Sequence, residues 1–342
     1  MKSLVTGATG HLGSNLVRSL IAAGDEVVAL ARASSDRRGL EGLPITIATG
    51  DLLDLSSLEA AAQGCQRIFH AGAVYRNFAV DAQTIIAPAL EGTRNVMKAA
   101  QSARVEKVIY TSSNATIGYG RDRATPLDES SHLDDAQSPY IRAKILAERA
   151  ALEAGRASGI PVIVLCPVGI FGRWDFRLTP TTRALLAIAE KDPMVLDLCA
   201  TDVRDVAHAH VLAATKGRAY ERYLIGGDNL TRDEGARILS ELVGRTVKAM
   251  KPPMFMFRLI AWMEERKARR TGGDAAITRA IVDDVGGGHL MYSSAKARSE
   301  LGFSPRGAKE TFTDALRWLV YIDALTPKTR ARVEAKVGRF SP

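Results

Sequence analysis

Cysteine is scarce. The 342 residues hold three, Cys65, Cys166 and Cys199, odd in number and widely spaced. None forms a CxxC pair, so neither a disulfide framework nor a zinc site is expected. Buried, reduced thiols in a cytoplasmic protein are the expectation instead. Long apolar runs are missing too, and none approaches the ~20 residues of a membrane span. No signal-peptide pattern fits the stretch after Met1-Lys2, which enters an apolar strand directly. His70, His208 and His210 lack the spacing of a metal cluster and read as structural histidines, so no metal is expected. Lys and Arg exceed Asp and Glu by a formal +8. They are spread along the chain without any nucleic-acid-binding motif, so DNA and RNA are not expected partners. The same balance suits an anionic cofactor. Internal repeats and low-complexity segments are absent.

Apolar residues make up 46% of the chain, enough for a sizeable core. Short apolar runs at Ser3–Thr6, Val27–Ala31, Ile45–Ala48, Arg67–His70, Lys107–Thr111 and Pro161–Cys166 alternate with helical patterns such as Leu12–Ala23 and Thr93–Ala103. That rhythm predicts an α/β fold, a Rossmann-type doubly wound parallel sheet covered on both faces. After Gly172 the rhythm loosens. Residues 1–172 read as a nucleotide-binding domain to which strands at about 200–228 return. Residues 173–325 read mainly as a smaller, interleaved C-terminal substrate lobe. The basic tail 326–342, poor in large apolar residues, is expected to be loosely held.

The first strand leads into Thr6-Gly7-Ala8-Thr9-Gly10-His11-Leu12-Gly13. Glycine at 7, 10 and 13 permits a tight turn, close approach to a pyrophosphate, and tight helix–strand packing. A helix opening there offers free N–H groups and its positive end to phosphates. At the end of the second strand, an NAD-preferring domain carries Asp or Glu for the ribose 2′-hydroxyl. Here Leu30-Ala31-Arg32 stands, with Arg37-Arg38 close behind. A guanidinium suits a 2′-phosphate, so NADP(H) is the expected cofactor and NAD(H) the alternative.

Ser138-Pro139-Tyr140-Ile141-Arg142-Ala143-Lys144 opens a helix that places Tyr140 and Lys144 on one face. A phenol titrates near ~10 and a nearby ammonium lowers that value, so Tyr140 can exchange a proton with a substrate oxygen. Lys144 can also reach the nicotinamide ribose. The strand Lys107–Thr111 runs into Ser112-Ser113 at the edge where parallel sheets form their crevice. Ser113 is the serine placed to hold a carbonyl oxygen. Ser112 competes, but the two point to opposite faces and only one can serve.

Taken together, TGATGHLG at 6–13, GDLLD at 50–54, HAGA at 70–73, PALEGTRNV at 88–96, YTSSNATIG at 110–118, YIRAK at 140–144 and DVRDVAHAH at 202–210 resemble the extended short-chain dehydrogenase/reductase family, within the NAD-dependent epimerase/dehydratase superfamily. YLIGGDNLT and SSAKARSELGFSP extend the likeness into the second half. The resemblance implies catalysis by Ser113, Tyr140 and Lys144. It implies cofactor contacts from Gly7, Thr9, Gly10, His11, Leu12, Gly13, Arg32, Asp51, Leu52, Ala71, Ala73, Thr111, Tyr140, Lys144, Pro167 and Val168. PALEGTRNV looks like the dihydroflavonol-4-reductase-like branch, which reduces ketones or aldehydes. Nucleotide-sugar epimerases and dehydratases usually carry an Asn where Ala89 stands, and another in the stretch that here reads Cys166-Pro167-Val168. ARASSDRRGLEGLP at 31–44 is similar to the hopanoid-associated sugar epimerase group.

The apolar stretch Met254–Met263 is followed by Glu264-Glu265-Arg266-Lys267-Ala268-Arg269-Arg270. Core or dimer packing is the preferred reading, a substrate-facing role the second, and contact with a membrane surface the last. The expected function is reversible hydride transfer between NADP(H) and an aldehyde or ketone, with a homodimer allowed. Its alternatives are a nucleotide-sugar epimerase or dehydratase and a non-catalytic dinucleotide sensor, which retention of the Tyr–Lys pair disfavours.

Overall fold

The computed structural model describes residues 1–72, 77–191, 197–249, 253–275 and 277–341. Its strands are β1 (Lys2–Thr6), β2 (Glu26–Ala31), β3 (Thr46–Thr49), β4 (Arg67–His70), β5 (Lys107–Thr111), β6 (Val162–Pro167), β7 (Ile170–Phe171), β8 (Leu198–Asp202), β9 (Arg222–Ile225) and β10 (Asp228–Leu230). Its helices are α1 (His11–Ala22), α2 (Leu55–Ala62), α3 (Gln83–Ser102), α4 (Pro139–Ser158), α5 (Pro180–Glu190), α6 (Val203–Lys216), α7 (Arg232–Val243), α8 (Met254–Thr271), α9 (Arg279–Val285), α10 (Ala308–Tyr321) and α11 (Pro327–Val337).

The first six strands lie within a residue of the apolar runs in the sequence. Seven strands form one parallel sheet in the order β3-β2-β1-β4-β5-β6-β9. Successive side chains on a strand point to opposite faces. Leu4, Ile68 and Val108 therefore enter one core, and their neighbours Val5, Phe69 and Ile109 enter the other. Both faces are covered, which explains why these strands read as unbroken apolar runs. Chain order reverses between β1 and β4, and the crevice beyond their carboxyl ends is the ligand position of such sheets.

Local signals set the helices that matter for the site. Ser138 caps α4 by accepting from the Ile141 amide, Pro139 occupies its first turn, and Gly159 ends it at φ 74°. The helix α3 begins ten residues before the predicted Thr93. Pro88 lies inside it, and Ile85, Ile86 and Ala89 pack with Ala143 of α4. Gly92 permits the approach of Leu52, whose Cβ would lie 3.1 Å from an added methyl.

The smaller lobe carries the sheet β10-β8-β7 and a separate core from α5, α7, α10 and α11. Between β8 and β10 the chain returns to the main sheet: α6 covers one face and β9 extends it, while residues 200–202 and 228 stay in the lobe's sheet. The tail is not loosely held. Val333 and Val337 of α11 are buried in the lobe core, and Phe340 packs edge-on against the fully buried Trp318. Trp174, Phe176 and Tyr321 complete that aromatic cluster. On α8, by contrast, only Ala261, Glu265 and Ala268 are buried. Met254, Phe255, Met256, Trp262 and Met263 are exposed and Phe257 is half-buried, so within this chain they are not core.

Candidate active site

The site starts at the glycine loop. Gly7 has φ +70°, a conformation open to glycine at little cost, and an added Cβ there would lie 2.6 Å from Gly72. At Gly13 a Cβ would lie 2.0 Å from the Gly7 carbonyl oxygen. Helix and strand thus meet too closely for any side chain. The Gly10 amide donates to the Gly7 carbonyl at 2.9 Å. Gly10 caps α1 without a side-chain hydrogen bond, and no acid lies in the first turn. The open N-terminus is a cradle for a pyrophosphate. His11 is buried beneath the loop, its Nδ1 3.9 Å from Asp175, and burial lowers its pKa. Leu12 packs on the core.

Arg177 reaches this loop from the other lobe and donates to Thr9 Oγ1 at 3.1 Å. At the end of β2, Arg32 is exposed and its carbonyl accepts from Arg37 at 3.5 Å. Arg38 is engaged by Asp36 and lies over the Phe176 ring. Asp51 accepts from the Leu53 amide at 2.9 Å, and the Leu52 carbonyl accepts from Asn95. The Ala71 amide is bonded to the Thr6 carbonyl. Ala73 lies outside the described residues.

At the carboxyl end of β5 the two serines separate. Ser112 is buried and donates to Glu148, which also accepts from Thr116 at 2.9 Å and pairs with Arg222 at 2.8 Å. Ser113 faces the other way and hydrogen-bonds Tyr140. One turn along α4, Lys144 Nζ donates to the Thr111 carbonyl at 3.5 Å. Thr111 Oγ1 lies 2.8 Å from His210 Nε2, and His210 Nδ1 lies 2.7 Å from the Val206 carbonyl. Burial pushes His210 down to about 4, so the ring is neutral and its Nδ1–H donates to Val206. His70 sits 2.7 Å from Thr6 Oγ1, and burial together with the Lys144 charge pushes it down to about 3.

The electrostatics of Tyr140 differ from the expectation. Burial pushes the phenol up to about 12, against the hydrogen bond from Ser113 that lowers it. Lys144 is itself pushed down to about 8 by burial, opposed by Glu148 and Cys166. Desolvation therefore outweighs the Ser113 hydrogen bond, and Tyr140 holds its proton at neutral pH.

Residues 3–226 match the family described as NAD dependent epimerase/dehydratase. A Synechocystis sp. protein provisionally named dihydroflavonol 4-reductase is 34% identical, covering 92% of this chain and 93% of its own length. Cinnamoyl-CoA reductase 1 of Oryza sativa subsp. japonica is 33% identical, over 70% of this chain and 75% of its own. The crystal structure of gox2253 superposes with a TM-score of 0.82 at 34% identity, covering 95% and 99% of the two chains. The chain belongs to the NAD-dependent epimerase/dehydratase family. It is an oxidoreductase of that NAD(P)-using family, on its dihydroflavonol-4-reductase-like side.

For a member of this family, the glycine loop fits a dinucleotide on its own geometry, because a Cβ at Gly7 or Gly13 would collide with backbone. The structure gathers Ser113, Tyr140, Lys144 and Thr111 at one edge of the sheet, with the glycine loop and Arg32 along the same edge. Pro167 ends β6, whereas the Val168 side chain is buried in the core cluster that holds Cys166 and Cys199. Four residues at this edge were not among the expected site residues. Glu148 follows Lys144 by four, so its helical spacing was a usable signal. Asn114 donates to the Tyr292 hydroxyl at 2.9 Å and lies 3.4 Å from Ser113 Oγ. Only the tertiary fold brings Tyr292 and Arg177 to this edge.

Proposed function

We propose that this protein is an NADPH-dependent reductase of aldehydes or ketones. The observation that carries the reading is the Ser113–Tyr140 hydrogen bond with Lys144 one turn away, at the carboxyl end of β5. Ser113 holds and polarises the carbonyl oxygen. Tyr140, protonated at neutral pH, gives its O–H proton to that oxygen as the carbon is reduced. Lys144 stabilises the resulting phenolate and is placed to hold the cofactor ribose. When bound, the dihydronicotinamide supplies the hydride. Gly7, Gly10 and Gly13 admit the pyrophosphate, Arg177 adds a cation beside it, and Arg32 with Arg37 takes the 2′-phosphate.

A nucleotide-sugar substrate is disfavoured by where the lobe's cations go. Arg173 is paired with the buried Asp314, Arg177 turns to the glycine loop, and Arg183 is exposed on α5. A diphosphate buried without gathered cations is costly. The reductase names of the relatives point the same way. The test is a panel of aldehydes, ketones and UDP- or GDP-sugars, read by NADPH absorbance and product analysis. Net NADPH consumption with simple carbonyls is expected. Interconversion of a nucleotide sugar with no carbonyl reduced would replace this reading by the epimerase one.

A further inference from the structure

Eleven large hydrophobic side chains are exposed among the described residues. Seven are Val80 together with Met254, Phe255, Met256, Leu259, Trp262 and Met263 of α8. Scattered exposed apolar residues are ordinary, but a contiguous set marks a surface that is covered in use. The buried positions of α8, Ala261, Glu265 and Ala268, repeat at helical spacing. Phe255, Leu259, Trp262 and Arg266 therefore share the opposite face. Phe255 is 69% exposed and Val80 78%.

The helix has a second property. Its first half is apolar and its last two turns carry Arg266, Lys267, Arg269 and Arg270, none in an ion pair among the described residues. Arg266 lies 5.4 Å from the Trp262 ring, so the cationic and apolar parts adjoin. Beside α8 a cleft of about 660 Å³ is lined by Phe78, Val80, Pro139, Arg258 and Arg269. Pro139 directly precedes Tyr140. No helix among the described residues is long and apolar enough to cross a membrane.

We propose that α8 docks this protein on the surface of an anionic lipid bilayer. The helix lies in the plane of the interface. Phe255, Leu259, Trp262 and Met263 enter the acyl boundary, and Arg266, Lys267 and Arg270 contact acidic headgroups. A second copy of the chain fits less well, because it brings the same uncompensated cations to the contact. A bilayer supplies the opposite charge. Val80, on the cleft wall and exposed, turns the cleft toward the membrane. Apolar carbonyl compounds dissolved in lipid then meet the cleft that Pro139 lines, a consequence that rests on the reductase reading. The docking itself does not.

The test is co-sedimentation of the full chain with vesicles of phosphatidylcholine alone or mixed with phosphatidylglycerol. Binding about tenfold or more tighter to the anionic vesicles is expected, weakening as salt rises. Phe255→Ser/Leu259→Ser and Arg266→Glu/Lys267→Glu are each expected to lower that binding about tenfold or more. Both variants are expected to keep wild-type turnover of a small water-soluble aldehyde and wild-type melting temperature. Quenching by brominated lipid is expected to depend on Trp262 and to vanish in Trp262→Phe. Equal binding to both vesicle types, no binding, or binding indifferent to Phe255→Ser/Leu259→Ser overturns the proposal. A wild-type dimer in light scattering that Phe255→Ser/Leu259→Ser converts to monomer, without vesicle binding, assigns the face to a second copy. The vesicle, quenching, melting and scattering readouts need no turnover, so a failed reductase assay leaves them intact.

Discussion

Helices α4 and α8 both border one cleft, α4 through Pro139 and α8 through Arg258, Glu265 and Arg269, and they invert each other. Along α4, polar groups are turned inward at four-residue spacing: Tyr140, Lys144 and Glu148. Each has a partner on the sheet edge. Along α8, apolar groups are turned outward, and its buried face is two alanines and one glutamate. A buried polar row and an exposed apolar row are the two departures from the ordinary distribution that carry information. The first costs desolvation free energy, which appears directly as the raised Tyr140 and the lowered Lys144. The second leaves apolar area in water. Each cost points to something met from outside: on α4 a reacting carbonyl, on α8 a surface.

The largest expected effect tests the inward row. Tyr140→Phe removes only the hydroxyl. It is expected to lower turnover by about 10²- to 10⁴-fold while NADPH affinity stays within about twofold. Normal turnover at saturating substrate in Tyr140→Phe would remove Tyr140 as the proton donor. Lys144→Ala is expected to damage turnover and NADPH affinity together, because one side chain serves both.

Glu148 comes next. It accepts from Ser112 and Thr116 and pairs with Arg222, all in the interior. Glu148→Gln keeps the shape and loses the charge. On the order of 2–3 kcal/mol of stability is expected to go, read by urea denaturation. The same variant sharpens the pH argument. Lys144 is held down to about 8 by burial, and Glu148 is the largest influence raising it. Its ammonium is present below that value and lost above it. Reductase kcat/KM is therefore expected to fall as pH rises through about 8. Glu148→Gln is expected to move that fall to lower pH, since it removes an attraction for the proton. A fall that stays in place would separate Glu148 from the tuning of Lys144.

Smaller effects belong to the cofactor end. Arg32→Ala is expected to lower NADPH affinity about tenfold, near 1.4 kcal/mol, and to leave NADH affinity unchanged. Arg177→Ala is expected to weaken both cofactors alike, because it stands by the glycine loop rather than at the end of β2. Titration of each variant with both nucleotides checks the pair. Equal affinity of the unmodified protein for NADPH and NADH would overturn the 2′-phosphate assignment.

The inward row and the sheet were legible because their signals are local. Period-two burial on both faces makes β1, β4 and β5 continuous apolar runs, and a glycine turn needs its residues at fixed spacing. Tyr140 and Lys144 are four apart in sequence and one turn apart in space. What escaped depends on distant chain. The helical pattern is legible only from Thr93, yet α3 starts at Gln83 and runs through Pro88 and Gly92, with α4 and Leu52 packed against it. The tail looked loose because its fit depends on packing that sequence does not display, against Trp174 from far along the chain and Trp318 on α10. Spacing alone predicts a Tyr140 lowered by Lys144, but burial is a property of the fold and it raises the phenol instead. The apolar stretch 254–263 was visible as composition, but its outward direction was not.

The smallest expected effect is on α8, and it follows from that direction. Leu259→Ala removes a side chain that is 53% exposed, so little apolar area returns to water on unfolding. A change within about 0.5 kcal/mol is expected, as for other surface substitutions. Ile141, next to Tyr140 on α4, is only 2% exposed, and Ile141→Ala is expected to cost about 2–5 kcal/mol through lost transfer and a cavity. Denaturant titration of the two variants compares the helices directly. The measurement is informative in both directions, because stability gained from association depends on protein concentration. If Leu259→Ala cost 2 kcal/mol and the cost grew with concentration, the outward row would already be packed against a second copy in solution. A small, concentration-independent cost leaves that row in water, free to meet a bilayer.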